Sequence, residues 1–246
     1  MFKEYGKLST MVYEHTKPSG HSIDGDIEYF YKNIQKSSGR VLEAGVGTGR
    51  MLIPFLEKGI KIDGVDISKE MLEQCKINMK ENNVDTNLYL QDLTELSLPN
   101  KYETIIMPTG SFCLLPRKKI RQVLIKFLEH LEIGGRIIID LESPMHFTPG
   151  VTSSGSFQIE DNLGILTNNY NENIDWLEQK VSSISKYELV ENGTIIETEV
   201  SHFTLYWYGI EEFRMLLSEI GFSKINYEVG YGENDHSELI TFKASK

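Results

Sequence analysis

The chain has 246 residues, enough for one domain with an elaboration or two small ones, and 40% of them are hydrophobic, enough for a proper core. Lys and Arg number 25 against 36 Asp and Glu, a net charge of −11 that argues against nucleic acid or an anionic membrane as a main partner. Two cysteines, Cys75 and Cys113, make neither a disulfide framework nor a zinc spacing, so no metal site is expected.

The N-terminal stretch MFKEYGKLSTMVYEHTK lacks an apolar signal core, and no run of about 18 apolar residues occurs, so a cytoplasmic protein without a membrane span is expected. Residues 22–36 read as a helix, with Ile27, Phe30, Tyr31 and Ile34 at helical spacing. A strand at 40–43, a glycine-rich turn and a helix at 48–58 follow. The next strand covers 60–66, and Ser68 is placed to cap a helix running to about Glu81. Strands at 88–92 and 104–108 precede a helix at 117–131, which Gly134-Gly135 separates from the apolar strand RIIIDL. Apolar strands alternating with helices imply a parallel sheet covered on both faces.

After Glu142 the grammar changes. Three extended segments, ILTNNYNEN, WLEQKVSSISKYELV and TIIETEVSHFTLYWY, are rich in β-branched and aromatic residues. Asn192-Gly193 between the last two is a hairpin signal, and the Asn192-Gly193-Thr194 triplet, which matches a glycosylation acceptor, is read as a turn because no apolar signal core is seen. A helix then carries Phe213, Leu216, Leu217 and Ile220 on one face and ends at Gly221, and strands near 224–229 and 238–243 close the chain.

The stretch RVLEAGVGTGRMLI raises the question of a ligand. A dinucleotide site needs G-x-G-x-x-G, but here the third glycine position is Arg50; Gly49 instead completes E-x-G-x-G-x-G from Glu43. A carboxylate at the end of that strand repels a pyrophosphate and suits an ammonium group. Asp66 ends the next strand, where it can accept both hydroxyls of a ribose, a feature that NAD sites share. A nucleoside with a ribose, a cationic amine and no phosphate is S-adenosylmethionine.

The ordered series VLEAGVGTGR, IDGVDISKEML, LYLQDL, YETIIMPTGSFCLL and GGRIIIDL resembles the class I S-adenosylmethionine-dependent methyltransferases, over roughly residues 40–142 and 205–243. That resemblance implies an α/β, Rossmann-like, seven-stranded, mostly parallel sheet with an antiparallel last strand. Residues 1–142 and 205–246 would form the cofactor-binding domain, and 150–208 an antiparallel insert serving as a substrate lid or dimer surface. By position, Glu43, Ala44, Gly45, Gly47, Thr48 and Gly49 would hold the methionine part, with Arg50 a candidate contact to its carboxylate. Asp66 would hold the ribose, and Ile67 would pack on the adenine. Asp92 would accept from the adenine amino group, beside Gln91 and Leu93. Pro108 and Thr109 would lie along the methionine and thioether. The leading helices of such enzymes cap the cofactor, which places Tyr13 at the cofactor and lets Tyr5, Tyr13 and His15 form one wall of the substrate cleft.

No catalytic motif stands out. Candidates are His202, Tyr206 and Tyr208, which share the even face of the third insert strand with Thr204, and His146 in the loop after RIIIDL. The odd face, with Phe203, Leu205 and Trp207, is expected to be core. Met107-Pro108-Thr109-Gly110 departs from the motifs that DNA methylases carry after the fourth strand. The expectation is therefore a monomeric or homodimeric methyltransferase acting on a nitrogen or an oxygen of a small molecule. A non-catalytic S-adenosylmethionine-binding module or sensor is the alternative.

Overall fold

The computed structural model describes residues 5–231 and 239–246. In chain order its elements are α1 (Lys7–Thr16), α2 (Asp26–Ile34), β1 (Val41–Ala44), α3 (Leu52–Glu57), β2 (Ile62–Asp66), α4 (Lys69–Glu81), β3 (Leu88–Leu90), β4 (Tyr102–Met107), α5 (Ile120–His130) and β5 (Leu131–Leu141). Then come β6 (Thr152–Glu160), β7 (Leu163–Asp175), β8 (Lys180–Glu191), β9 (Thr194–Tyr206), α6 (Ile210–Ile220), β10 (Ser223–Val229) and β11 (Ile240–Ser245). They divide into two units, Ser19–Ser143 with Trp207–Lys246, and Met1–Pro18 with Pro144–Tyr206.

The first unit holds a seven-stranded sheet in the order β10-β11-β5-β4-β1-β2-β3. β1 runs parallel to β2 and β4, β2 to β3, and β4 to β5, while β11 runs antiparallel to both β5 and β10. The strands VLEA and IDGVD are buried along almost their whole length because helices cover the sheet on both faces, and the acid this buries within β2, Asp63, accepts from Arg40 Nη1 at 2.9 Å and from the Tyr102 hydroxyl at 3.1 Å. α2 presents Ile27, Phe30 and Ile34 to this core, beside Phe55 of α3 and Leu72 of α4. The helices at both of these places are shorter than their periodicity suggests. α2 begins only after Asp24 and Gly25, both at positive φ (51° and 84°). α3 begins at Leu52 and not at Thr48, because the glycine turn still closes on itself there: the Gly49 amide donates to the Val46 carbonyl at 3.0 Å. Pro54 falls in the first turn of α3, where no backbone donor is needed. The expected start of the last strand at Glu238 lies outside the described residues.

The second unit is a four-stranded antiparallel sheet in the order β6-β7-β8-β9, with α1 on one face. The sequence suggests three strands there. β6, written TSSGSFQIE, carries too few β-branched residues to announce itself, and its place at the sheet edge asks for fewer. Leu8, Ile165 and Leu189 form a small core with Met11, Val12 and Tyr187 packed around it. Glu199 of β9 caps α1, accepting from the Leu8 and Ser9 amides at 2.8 and 3.1 Å and from the Ser9 hydroxyl at 2.6 Å. The Asn192-Gly193 hairpin forms as read, with both residues at positive φ and Glu191 paired to Thr194. Among the described residues no helix is long and apolar enough to cross a membrane.

Candidate cofactor site and active site

Four of the strands in the larger unit carry an acid within two residues of their carboxyl ends: Glu43 next to last on β1, Asp66 last on β2, Asp92 two residues past β3 and Asp140 next to last on β5. In an open α/β sheet the carboxyl ends of the strands, near the point where strand order reverses, are where ligands bind. Here that reversal lies between β1 and β4.

The glycine turn is folded over the end of β2. Gly45 and Val46 amides donate to the Val65 carbonyl at 2.8 and 3.1 Å, and the Gly47 amide donates to Asp66 Oδ2 at 2.9 Å. Gly45, Gly47 and Gly49 all have positive φ. Gly49 is fixed by a second constraint, since a Cβ there would come within 2.7 Å of the buried Cys75 sulfur. Asp66 Oδ1 accepts from the Ser68 amide at 2.8 Å, so this carboxylate joins the turn to the start of α4. Its burial raises its pKa against the pull of those amides. Each of its oxygens retains lone pairs for a ribose hydroxyl.

Glu43 is 3% exposed, and its Oε2 has no hydrogen-bond partner among the described residues. Burial pushes its pKa up to about 8; the charges of Asp26 and Asp66 add to that shift and Arg50 opposes it. Thr48 Oγ1 is likewise buried with no partner among the described residues. An orphaned buried carboxylate and hydroxyl beside an open glycine turn fit the ammonium and carboxylate of a methionine moiety. Ile67, two-thirds exposed, is an apolar platform next to Asp66 and suits a nucleobase face. These residues fit S-adenosylmethionine.

Two assignments change character. Arg50 is not available to a cofactor carboxylate through its terminal nitrogens. Nη1 donates to the His21 carbonyl at 2.7 Å and to Asp26 Oδ1 at 3.2 Å, and Nη2 donates to Asp26 Oδ2 at 2.5 Å and to Thr109 Oγ1 at 3.2 Å. Both members of the ion pair are buried. Arg50 thus ties the segment before α2 and the β4 end to the glycine turn. Gln91 is spent in the same way, exchanging side-chain hydrogen bonds with the Ser97 backbone at 2.9 and 3.1 Å. Asp92 Oδ1 caps a short 3-10 turn by accepting from the Thr94 amide and hydroxyl at 2.8 and 2.7 Å, and Leu93 is buried next to it. Asp92 Oδ2, 3.8 Å from Lys119, is the oxygen left for an adenine amine.

Sequence reasoning missed Asp140 and Asp26. Asp140 is fully buried; Oδ2 accepts from the Thr109 amide at 2.7 Å and the Tyr231 hydroxyl at 2.5 Å, and Oδ1 from the Thr241 hydroxyl at 2.6 Å. Burial lifts its pKa to about 6 against those three donors. Pro108 is buried, and Thr109 sits at φ 55°, a conformation a β-branched residue rarely adopts, held by Asp140 and Arg50. The available signal was the repeated acid at strand ends, which RIIIDL shares.

The other candidates belong to the smaller unit. Tyr13 on α1 lies edge-on to Tyr5, which in turn meets Phe203, and His15 is exposed and meets the Phe157 ring. His202 Nε2 lies 2.7 Å from Glu172 Oε2 across the sheet, so that ring is held by a carboxylate within its own unit. Tyr206 ends β9, and His146 is exposed in the loop before β6. The even row stops at Tyr206. Tyr208 belongs to the larger unit, buried against Phe112 and Phe213 with the Arg117 guanidinium 4.9 Å above its ring. The odd row is not cleanly core either: Ser201 is fully buried, but Phe203 and Leu205 are only half-buried. Among the described residues no group of three or more His, Cys, Asp or Glu side chains could hold a metal ion. Cys75 and Cys113 are buried free thiols, and burial pushes the Cys113 pKa to about 12.

Asp66 carries a prediction. Charge-assisted hydrogen bonds are worth about 1.5–3 kcal/mol each. Asp66→Ala should weaken S-adenosylhomocysteine binding at least about tenfold by calorimetry; unchanged affinity would remove Asp66 from the site.

Comparison with known proteins agrees with this geometry. A family described as a methyltransferase domain matches residues 41–135, from β1 into β5. A candidate protein N5-glutamine methyltransferase of Methanocaldococcus jannaschii is 42% identical over 153 residues, covering 54% of this chain and 73% of that protein. The chain spans about half the length of the first curated relatives it matches. The sugar N-methyltransferase KedS8 of Streptoalloteichus superposes with a TM-score of 0.79 at 16% identity, over 100% of this chain and 95% of that one. The amino pentose methyltransferase CalS10 of Micromonospora echinaspora superposes with a TM-score of 0.71 at 15% identity, over 100% and 99%. At such identities these two show the fold, including the antiparallel unit. The relative that this chain covers over nearly three-quarters of its length, together with the family match across β1 to β5, gives the membership: the chain belongs to the class I S-adenosylmethionine-dependent methyltransferases.

Proposed function

We propose that the protein transfers the methyl group of S-adenosylmethionine to a small-molecule acceptor, at a nitrogen in preference to an oxygen. The observation that carries the ligand is Glu43 Oε2, a buried carboxylate oxygen without a partner among the described residues beside three glycines at positive φ. It calls for a cation where a dinucleotide would put phosphate. The acceptor class is supported by the fold neighbours, named for sugar and amino pentose methylation, which match the whole chain. The relative named for glutamine in proteins matches only 54% of it.

The bound cofactor supplies an activated methyl on a sulfonium, so the protein's part is alignment, exclusion of water and control of the acceptor's proton. Glu43, Thr48 and the glycine turn anchor the methionine end. Asp66 and Ile67 fix the nucleoside. Thr109, locked by Asp140 and Arg50, shapes the wall at the β4 end.

Thermal unfolding tests the reading. S-adenosylhomocysteine at about 100 times its dissociation constant should add about 2.7 kcal/mol, a rise of roughly 5–10 °C in melting temperature, and NAD should add none. Stabilisation by NAD alone would overturn it.

A further inference from the structure

A further acid directly follows β5. Glu142 lies one residue beyond β5, and its backbone is pinned to Cys113, a fully buried side chain in the short 3-10 turn Ser111–Leu114 after β4. The Glu142 amide meets the Cys113 sulfur at 3.2 Å, and the thiol faces the Glu142 carbonyl at 3.9 Å. That anchoring sets the side chain over Gly110. A Cβ built on Gly110 would lie 3.0 Å from both Cβ and Oε2 of Glu142, and φ there is +70°. Only a glycine gives the carboxylate this approach without a shift.

The same turn touches the first glycine of the cofactor loop. A Cβ on Gly45 would lie 3.6 Å from Ser111 Cβ and 3.9 Å from Met107 Cε. Gly45, Ser111, Gly110 and the Glu142 carboxylate are therefore consecutive neighbours along the carboxyl edge of β1, β4 and β5. Asp66 and Ile67 mark the nucleoside end on the β2 side of Gly45, and Glu142 lies on the opposite, β5 side. On the methyltransferase reading this side would be the methionine end, where the methyl would be presented. Glu142 is exposed, as a group that meets an incoming acceptor must be, unlike the fully buried Asp140 two residues before it.

We propose that Glu142 is the acceptor-binding carboxylate and that the acceptor is an amine that arrives as an ammonium ion. This rests on the methyltransferase reading of the site. The carboxylate holds the ammonium beside the methyl group and takes one of its protons. The freed nitrogen lone pair forms the new N–C bond as the methyl–sulfur bond breaks, and that bond's electron pair stays on sulfur. The products are S-adenosylhomocysteine and an N-methylated ammonium ion, and Glu142 passes its proton to solvent. An oxygen acceptor would place no positive charge there.

Sinefungin tests this without knowledge of the acceptor, because it carries an ammonium group at the position of the methyl group. S-adenosylhomocysteine carries neither a methyl nor a charge there. Both share the methionine ammonium that faces Glu43, so the ratio of their dissociation constants isolates the charge at the methyl position. The wild-type protein should favour sinefungin, and Glu142→Gln should shrink that preference about three- to tenfold while leaving S-adenosylhomocysteine affinity within about twofold. Glu142→Asp, which keeps the charge, should retain part of the preference. An equal ratio in wild type and Glu142→Gln would overturn the assignment. Failure of the wild type to bind either ligand would overturn the cofactor reading itself, a different and recognisable outcome.

Discussion

Asp26→Ala should lower the stability of the larger unit by about 3–5 kcal/mol, because it leaves a buried guanidinium without its counter-charge. Arg50 and Asp26 have side chains 4% and 0% exposed, and two hydrogen bonds join them. Asp26 Oδ1 also accepts from the Ile23 and Ile27 amides at 2.8 and 2.7 Å, so the start of α2 loses its anchor too. Removing both charges should hurt less than removing one. Asp26→Ala with Arg50→Met should recover part of the loss, since the uncompensated charge disappears while the lost contacts to His21 and Thr109 do not return. Urea unfolding can be followed by Trp207, which lies in this unit, in a Trp176→Phe background that silences the tryptophan of the other unit. A loss below about 1 kcal/mol for Asp26→Ala would show that the pair is a passenger.

That pair also marks a kind of contact that the sequence does not display. The glycine turn, Glu43 and Asp66 are legible because their chemistry is local: a strand, a tight turn and an acid at each strand end lie within a few residues of one another. Arg50 looked equally local, three residues after Gly47, yet its partners are Asp26 and His21 upstream and Thr109 far downstream. No periodicity links those positions. Asp140 is of the same kind. It lies next to the end of a strand, much as Asp66 does, but its three donors come from the β4 end, from Tyr231 after β10 and from Thr241 on β11, places that only the antiparallel closure of the sheet brings together.

The antiparallel unit follows a similar logic. The Asn192-Gly193 turn and the two long strands beside it were readable, since β-branched residues and a two-residue turn act within one hairpin. The edge strand β6 was not, because its serines and glycine are tolerated by pairing with β7 and not selected by burial. Parity along β9 misled at its end. Strand alternation places Tyr208 in line with His202, but the strand stops at Tyr206, and Tyr208 goes to an aromatic cluster with Phe112 and Phe213.

Glu43→Gln should trade binding for stability, and pH separates the two effects. Burial raises the Glu43 pKa from 4.5 to about 8, so between those values the folded protein without ligand binds more protons at this site than the unfolded chain does. Stability therefore falls as pH rises through that window, and the full cost of the buried charge is present above about pH 8. Glutamine removes the titration. Without ligand, the difference in melting temperature between Glu43→Gln and wild type should move in the variant's favour as pH rises from about 5 to 8.5. Binding has the opposite sign. A methionine ammonium beside Glu43 favours the ionised form, so a proton must leave when the ligand binds below pH 8. Wild-type affinity for S-adenosylhomocysteine should rise by up to roughly a hundredfold from about pH 6 to 8, one proton per binding event, and then level off. Glu43→Gln should bind about ten- to a hundredfold more weakly at pH 8 and lose that slope. Calorimetry in two buffers of different ionisation enthalpy reads the released proton directly. A wild-type affinity that is flat across this range, with no buffer dependence, would mean that Glu43 does not face the ligand's ammonium group.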